Sequence, residues 1–386
     1  LLIGAILFAG CGPIAGFFDV PAAASAIALI ALVPLVKGFQ HLDARRAQRK
    51  LNNRPFLAIE VAPQAVALAL TWPVVAYSPN FYAVVWLSLA QAVTALIVSH
   101  AVAERRYELG FDTAILKRLI DFGWPIWLGA FPLVAVYHGD RILIGRVLGV
   151  EELAGYSAAF MMAMVPGLIA GKVGQSLMLP IFAAARNDAV RLKRSFAMLT
   201  EAVVAFAAVY LVTCMLAGGL ILQFAFGPNY AGLGGVMAWL AAMWAVRMLQ
   251  AVPGMLLISA GDTRPLLIAG LVRACALLPA AIVLIWGYGV EAVAATGVLG
   301  ETASLAYMAW RVDAVQSGLS RTFYRRAAFL VPAALTGGAT LVLAATLPGS
   351  AWMLLLVLAA GLIVIAIGAA ATMPELRTRV YGLLRA

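Results

Sequence analysis

Long apolar segments recur along the whole chain, and short polar or basic segments separate them. The predicted transmembrane helices number twelve, and they span residues 1–18, 22–39, 56–77, 80–103, 119–138, 153–183, 195–217, 231–258, 265–286, 290–311, 327–347 and 350–372. Most of these spans reach the ~20 residues that a helix needs to cross a hydrocarbon core of about 30 Å. A helix satisfies its own backbone N–H groups inside lipid, so uninterrupted runs of this length favour helices over barrel strands. The pattern predicts an all-α integral membrane protein.

The composition agrees with this interpretation and excludes a soluble domain. Apolar residues make up 64% of the 386 residues, charged residues make up 11%, and the mean hydropathy is +0.98. A soluble globular domain carries about 25% charged residues. The chain begins at Leu1, without Met and already inside an apolar run, so we expect a fragment that lacks upstream sequence rather than a chain with a signal peptide.

The net charge of +10 is concentrated in alternate connections between the predicted helices. The basic connections are 37–54, 105–118, 186–194, 264, 311–326 and the C-terminal tail. The intervening connections are short and nearly uncharged, except for 139–152. By the positive-inside rule, we expect both ends of the chain on the cytoplasmic side of the membrane. The excess charge is then a solvated face near anionic lipid headgroups, and we expect no nucleic-acid partner.

An internal repeat with an offset of 210 residues relates the two halves of the chain. Three pairs of segments match at this offset, namely 17–20 with 227–230, 36–40 with 246–250, and 53–57 with 263–267. Duplicated helical halves that hold substrate between them are typical of secondary transporters. The repeat predicts two pseudo-symmetric lobes and about 14 helices in a full-length protein. The predicted domains are four helices of the N-terminal lobe in 1–118, a six-helix C-terminal lobe in 119–312, and a final helix pair with a tail in 313–386.

Local motifs between Phe122 and Pro265 resemble a known family. They are Phe-Gly-Trp-Pro at 122–125, His-Gly-Asp-Arg at 138–141, Ala-Gly-Tyr-Ser at 154–157, Ser-Leu-Met-Leu-Pro at 176–180 and Ser-Ala-Gly-Asp-Thr-Arg-Pro at 259–265. This pattern resembles the Wzx-type polysaccharide flippases, whose superfamily also includes multidrug efflux proteins and the lipid II flippase. The resemblance implies export of an undecaprenyl-diphosphate-linked oligosaccharide, such as an O-antigen or exopolysaccharide repeat unit. It also implies that the protein is not an enzyme and has no cofactor.

Ionisable residues inside the predicted helices are the candidate site, because a charge in lipid is costly and is usually retained for function. The candidate cations for a diphosphate are Lys37, Lys172, Arg247 and Arg273, and the candidate for ion coupling is Glu301. Alternatives remain open for each residue. Lys37 could snorkel to the interface, Lys172 could lie outside a cavity, and Arg247 could form an interhelical salt bridge. Glu301 could carry H⁺ or couple to Na⁺, or it could pair with Arg273.

Other charged residues receive structural interpretations. Glu201 lies near the basic side and is interpreted as an interface residue, whereas Asp140 with Arg141 is interpreted as a helix cap.

Two other functions remain as alternatives to the flippase. A multidrug or cation antiporter of the same superfamily would favour a cleft dominated by acids, whereas bases outnumber acids at depth here. A membrane glycan polymerase or ligase would need a larger outward-facing loop domain or a catalytic cluster. Together with the family resemblance, these features favour a flippase of the bacterial plasma membrane that works by alternating access, with a lipid-linked oligosaccharide and membrane lipids as the partners that the resemblance implies.

Overall fold

The described part of the chain is helical, and no β-strand occurs in it. This computed structural model describes residues 2–49, 52, 54–106, 113–346 and 351–375. The α-helices in these ranges are α1 (Leu2–Ala9), α2 (Cys11–Phe17), α3 (Ala24–Ile30), α4 (Leu32–Lys37), α5 (Asp43–Arg49), α6 (Arg54–Tyr77), α7 (Tyr82–Ala101), α8 (Thr113–Val147), α9 (Val150–Ala185), α10 (Ala189–Phe226), α11 (Gly234–Leu249), α12 (Ala251–Ala260), α13 (Arg264–Ala274), α14 (Leu277–Ile285), α15 (Val290–Arg311), α16 (Leu319–Ala327), α17 (Leu330–Thr346) and α18 (Ala351–Thr372).

Each predicted span coincides with one helix or with two consecutive helices. Within the described ranges, six segments are long and apolar enough to cross a membrane, namely Arg54–Tyr77, Tyr82–Ala101, Val150–Ala185, Ala189–Phe226, Pro228–Ala260 and Arg264–Ile285. The all-helical membrane fold is therefore confirmed, whereas the count of twelve crossings stays a prediction. The predicted cytoplasmic tail, residues 376–386, lies outside the described residues.

Prolines explain why four of the predicted spans are divided into two helices. A proline has no N–H for the carbonyl four residues earlier, and its ring crowds that turn. Each interruption lies three or four residues before a proline, and the pairs are Gly10 with Pro13, Ala31 with Pro34, Gln250 with Pro253, and Cys275–Ala276 with Pro279. The last two interruptions directly follow α11, which carries Arg247, and α13, which carries Arg273.

Helix α10 is longer than its predicted span of 195–217, and specific residues fix both ends. Asp188 caps its start, because Oδ1 accepts hydrogen bonds of 3.0 Å from the backbone N–H groups of Val190 and Arg191. Its end is Gly227, whose φ of +100° is costly for residues with a Cβ. The charged turns after Asp188 thus extend the helix into what the charge pattern assigned to a connection.

Two polar helices, α5 and α16, lie in connections that the sequence analysis left without structure. Helix α16 buries Leu319 and Phe323 on one face, while its opposite face exposes Arg321 and Arg325. An amphipathic helix of this kind is typical of a membrane surface. It escapes a search for long apolar runs because it is short and basic.

The chain divides into two compact units, Leu1–Trp124 and Pro125–Ala386. In the first unit, α7 packs against α3, α4 and α6. In the second unit, α10 packs against α9, α11, α16, α17 and α18, while α15 packs against α11, α13 and α14. The 210-residue offset equates α7 with α15, and the two helices have corresponding neighbours within their own units. The three predicted domains and the pseudo-symmetry of the lobes stay predictions.

Candidate functional site

Three of the predicted site residues meet inside the second unit, around the carboxylate of Glu301. Glu301 on α15 is 1% exposed, Arg247 on α11 is 11% exposed, and Arg273 on α13 is 19% exposed. Arg247 donates from Nε to Glu301 Oε1 over 2.7 Å and also donates from Nη2 to the same oxygen. Arg273 Nε lies 2.9 Å from that oxygen, although its N–H is not aligned for a hydrogen bond. Both of the pairings considered in the sequence analysis, for Arg247 and for Glu301 with Arg273, are present.

Two neutral residues, Gln250 and Ser304, complete the hydrogen bonding of this cluster. Gln250 Nε2 donates to Glu301 Oε2 over 2.8 Å and to the Glu301 backbone carbonyl over 3.0 Å. Its Oε1 accepts from Arg273 Nη2, and Ser304 Oγ lies 3.3 Å from the same oxygen. Both oxygens of the carboxylate are therefore bonded. A buried polar group gains most from such complete bonding, because an unmade bond in a low dielectric is costly.

Aromatic rings hold Arg247 from its other sides. Its Cζ lies 4.5 Å from the Trp244 ring centroid and 5.0 Å from the Tyr137 ring centroid. A ring face attracts a guanidinium by roughly 0.5–2 kcal/mol without neutralising its charge. The rings thus stabilise Arg247 as a cation inside the helical bundle.

Local backbone features bring these side chains together. Trp244, Arg247 and Gln250 are spaced by three residues on α11 and its end, which places them on one helix face. Close approach of α15 to α13 depends on Gly300, beside Glu301. A Cβ at Gly300 would overlap the Ala276 Cβ and would lie 3.2 Å from the Arg273 carbonyl oxygen. The interruption before Pro279 and the absence of a side chain at Gly300 therefore position the cluster.

The cluster carries one more positive charge than negative charges, because two arginines share one carboxylate. Its leftover hydrogen-bonding capacity is also one-sided. Arg247 Nη1 and Trp244 Nε1 are buried donors without an acceptor among the described residues. The side-chain oxygens of Glu301 and Gln250, by contrast, are all bonded. Such an arrangement is complementary to a ligand that is anionic and accepts hydrogen bonds.

The two predicted lysines lie outside this cluster. Lys172 is exposed within α9 of the second unit, and Lys37 is exposed at the end of α4 in the first unit. Neither side chain is enclosed by its own unit, so both remain accessible to a ligand or to lipid.

Several contributing residues were not identified from the sequence. Gln250 and Ser304 are neutral, so they were not among the ionisable candidates. Gln250 lies three residues before Pro253, where a helix interruption is expected. Glu201, interpreted as an interface residue, is buried and lies 3.1 Å from Arg326 of the amphipathic helix α16. The neutral side chains of Gln250 and Ser304 are not found by a search for buried charge.

Comparison with known proteins identifies the family. A family model described as polysaccharide biosynthesis protein matches residues 1–235, which is more than half of the chain. This chain belongs to the polysaccharide biosynthesis protein family. The resemblance inferred from the sequence motifs is thereby confirmed, and with its membrane-spanning helices the protein is a multi-pass membrane protein. The matched region includes Lys37 and Lys172, whereas Arg247, Arg273 and Glu301 follow it.

Two similar proteins add detail. The amylovoran biosynthesis protein AmsL of Erwinia amylovora is 26% identical over 260 residues, which cover 66% of this chain and 66% of that protein. The match thus spans just under two thirds of that relative. The structure of the lipid II flippase MurJ in an inward closed conformation aligns with a TM-score of 0.58 and 10% sequence identity. The alignment covers 91% of this chain and 72% of MurJ, and it shows a shared fold.

Proposed function

We propose that this protein is a flippase that moves an undecaprenyl-diphosphate-linked oligosaccharide across the bacterial plasma membrane by alternating access. Membership of the polysaccharide biosynthesis family supports the substrate class, and the fold shared with a lipid II flippase supports transport. The observation that carries the proposal is the buried, net positive cluster of Arg247, Arg273 and Glu301.

The charge balance of the cluster supports an anionic substrate. An unpaired ion in a low-dielectric interior is destabilised by several kcal/mol, so a surplus cation is kept only where something offsets it. A diphosphate carries at least two negative charges and several acceptor oxygens, and guanidinium groups bind it in bidentate geometry. Arg247 and Arg273 would hold the diphosphate, while Lys37 and Lys172 would attract it from exposed positions.

Glu301 has a second role in this proposal, as the internal anion that occupies the arginines between transport events. A diphosphate that approaches Arg247 competes with the carboxylate for the same donors. Protonation of Glu301, or binding of Na⁺ to it, would release the arginines for substrate. This exchange gives a physical route from an ion gradient to transport, because the coupling ion and the substrate change the same charge balance.

The experiment that tests this function is transport by the purified protein in liposomes. We expect a fluorescent polyprenyl-diphosphate sugar to move between leaflets, and we expect a phospholipid with the same fluorophore to remain in place. Unlabelled polyprenyl diphosphate should compete with the labelled substrate, whereas a lipophilic cation should not. Transport of the cation without transport of the diphosphate sugar would instead identify the multidrug antiporter alternative.

A further inference from the structure

Another arginine of the same unit, Arg141 on α8, is connected to the cluster through two aromatic rings. Its Cζ lies 4.1 Å from the centroid of the Phe160 ring on α9. The Phe160 ring packs edge-on against Trp244 with a centroid distance of 6.1 Å, and Trp244 in turn contacts Arg247. Phe160 and Trp244 are 1% and 2% exposed, so the rings fill the interior between the two cations.

The carboxylate of Asp140 lies within electrostatic range of both Arg141 and Arg247, but its oxygens are hydrogen-bonded to groups other than a guanidinium. Asp140 Oδ2 accepts a hydrogen bond of 2.6 Å from the Tyr156 hydroxyl, and Oδ1 accepts one of 2.8 Å from the Arg141 backbone N–H. Asp140 and the Arg141 guanidinium form no salt bridge among the described contacts. The Arg141 side chain instead stacks on Phe160, and its buried Nε has no acceptor in the described part of the chain. Because Arg141 forms no direct ion pair with Asp140 and rests on a neutral ring, its guanidinium can still bind an anionic ligand.

The positions of these residues along their helices place them at successive depths within one half of the membrane. Arg141 lies six residues before the end of α8, and Phe160 and Trp244 each lie ten residues after the start of α9 and α11. Arg247 follows Trp244 by three residues. At about 1.5 Å per residue, the depths from that helix end are roughly 9 Å for Arg141, 15 Å for the rings and 20 Å for Arg247. The charge pattern assigns this end to the outside.

We propose that Arg141 is a second anion position, which receives the diphosphate from Arg247 as the substrate moves toward the outer leaflet. This inference rests on the proposed flippase function and adds a step to it. Two cations at different depths, separated by rings that neutralise neither, allow an anion to exchange one partner for the next. Each position has a donor without an acceptor in the described ranges, Arg141 Nε or Arg247 Nη1, and this donor supplies a hydrogen bond for the arriving oxygen.

The test separates binding from turnover in liposomes that contain the wild type, Arg141→Gln or Arg247→Gln. Binding of geranyl diphosphate is measured by the fluorescence of Trp244, with Trp244→Phe to identify its signal. We expect Arg141→Gln to bind the probe like the wild type and to lower the maximal transport rate by about tenfold, the effect of one lost charged hydrogen bond. The half-saturating substrate concentration of this variant should stay within about twofold of the wild-type value. Such a change corresponds to less than one RT of binding free energy. Arg247→Gln should lose both binding and transport.

Two further variants separate a charge effect from a structural effect. Arg146→Gln removes an exposed arginine from the same helix and should transport like the wild type. Arg141→Lys keeps the charge but loses the planar stack on Phe160, so it should restore most of the transport rate even if its thermal stability falls. If Arg141→Gln transported at the wild-type rate while Arg247→Gln was inactive, Arg141 would not be a second anion position, and the proposed flippase function would be unaffected. Equal loss of transport in the Lys and Gln variants, in parallel with their loss of stability, would also overturn it.

Discussion

Arg247 and Glu301 are joined through two nitrogens of one guanidinium that converge on a single carboxylate oxygen, Oε1. Gln250 occupies the other oxygen, Oε2. Both carboxylate oxygens are therefore bonded, while Arg247 Nη1 has no acceptor among the residues that the structure describes. This asymmetry makes the pair a stable resting arrangement that a stronger anion can still enter.

Replacement of Glu301 by Gln should destabilise the protein, because it removes the carboxylate that Arg247 and Arg273 share. Loss of one partner from a buried ion pair typically costs about 3–5 kcal/mol. The double variant Glu301→Gln, Arg247→Gln should recover part of this loss, because it removes one of the two arginines that lost this shared partner. Thermal unfolding of the detergent-solubilised protein measures both effects. If the double variant lost more stability than the two single variants lose in total, the ion pair would not be what couples the two sites.

Substitution of Gly300 by Ala should disturb the cluster, whereas the same change at Gly270 should be tolerated. A Cβ at position 300 meets Ala276 and the Arg273 carbonyl, so α15 must shift away from α13. At position 270 on α13, a Cβ meets nothing within 4 Å. Ala is favoured over Gly in a helix interior by roughly 0.5–1 kcal/mol, so Gly270→Ala should be neutral or stabilising. Unfolding temperatures that fell equally in both variants would contradict the role given to Gly300.

The exposed lysines should influence substrate capture rather than the chemistry of the cluster. Lys172→Gln and Lys37→Gln should each raise the half-saturating substrate concentration by roughly threefold to tenfold, with little change in maximal rate, as for the loss of one solvent-exposed hydrogen bond worth about 0.5–1.5 kcal/mol. Lys193→Gln, which removes an exposed lysine near the start of α10, provides the matched control. If all three variants had the same effect, Lys37 and Lys172 would contribute only general electrostatic attraction and no specific substrate capture.

The cap formed by Asp313 before α16 should give the stability a specific pH dependence. Burial raises the pKa of this carboxyl, but hydrogen bonds from the Ser320 hydroxyl and from three backbone N–H groups outweigh it and hold the pKa below its usual value. The stabilisation is then complete above the ordinary aspartate pKa of about 3.9 and is lost as the pH falls through the folded-state pKa. Asp313→Asn should be less stable than the wild type between about pH 5 and 8. This difference in stability should vanish in acid. A difference that stayed constant down to acid pH would contradict this assignment.

Hydropathy and charge spacing predict the helices well, because span length and lipid solvation impose strong constraints on sequence. The Arg273–Glu301 pairing could also be considered from the sequence, since both residues are charged and lie in neighbouring spans. The role of Gln250 could not, because it depends on the interruption before Pro253 and on the approach allowed at Gly300. Arg141 was interpreted as part of a cap, since stacking on Phe160 depends on how two helices pack. Sequence reasoning thus finds buried charges but not the neutral partners that decide how they are held.

The most direct test of the central claim is the rate at which Arg247→Gln moves a fluorescent polyprenyl-diphosphate sugar between the leaflets of a liposome. Arg311→Gln is the matched control, because Arg311 forms a salt bridge of 3.0 Å with Asp262 away from the cluster. If Arg247 binds the diphosphate, its variant loses transport by about tenfold or more while the control retains it. Transport at the wild-type rate by a correctly folded Arg247→Gln would contradict the account.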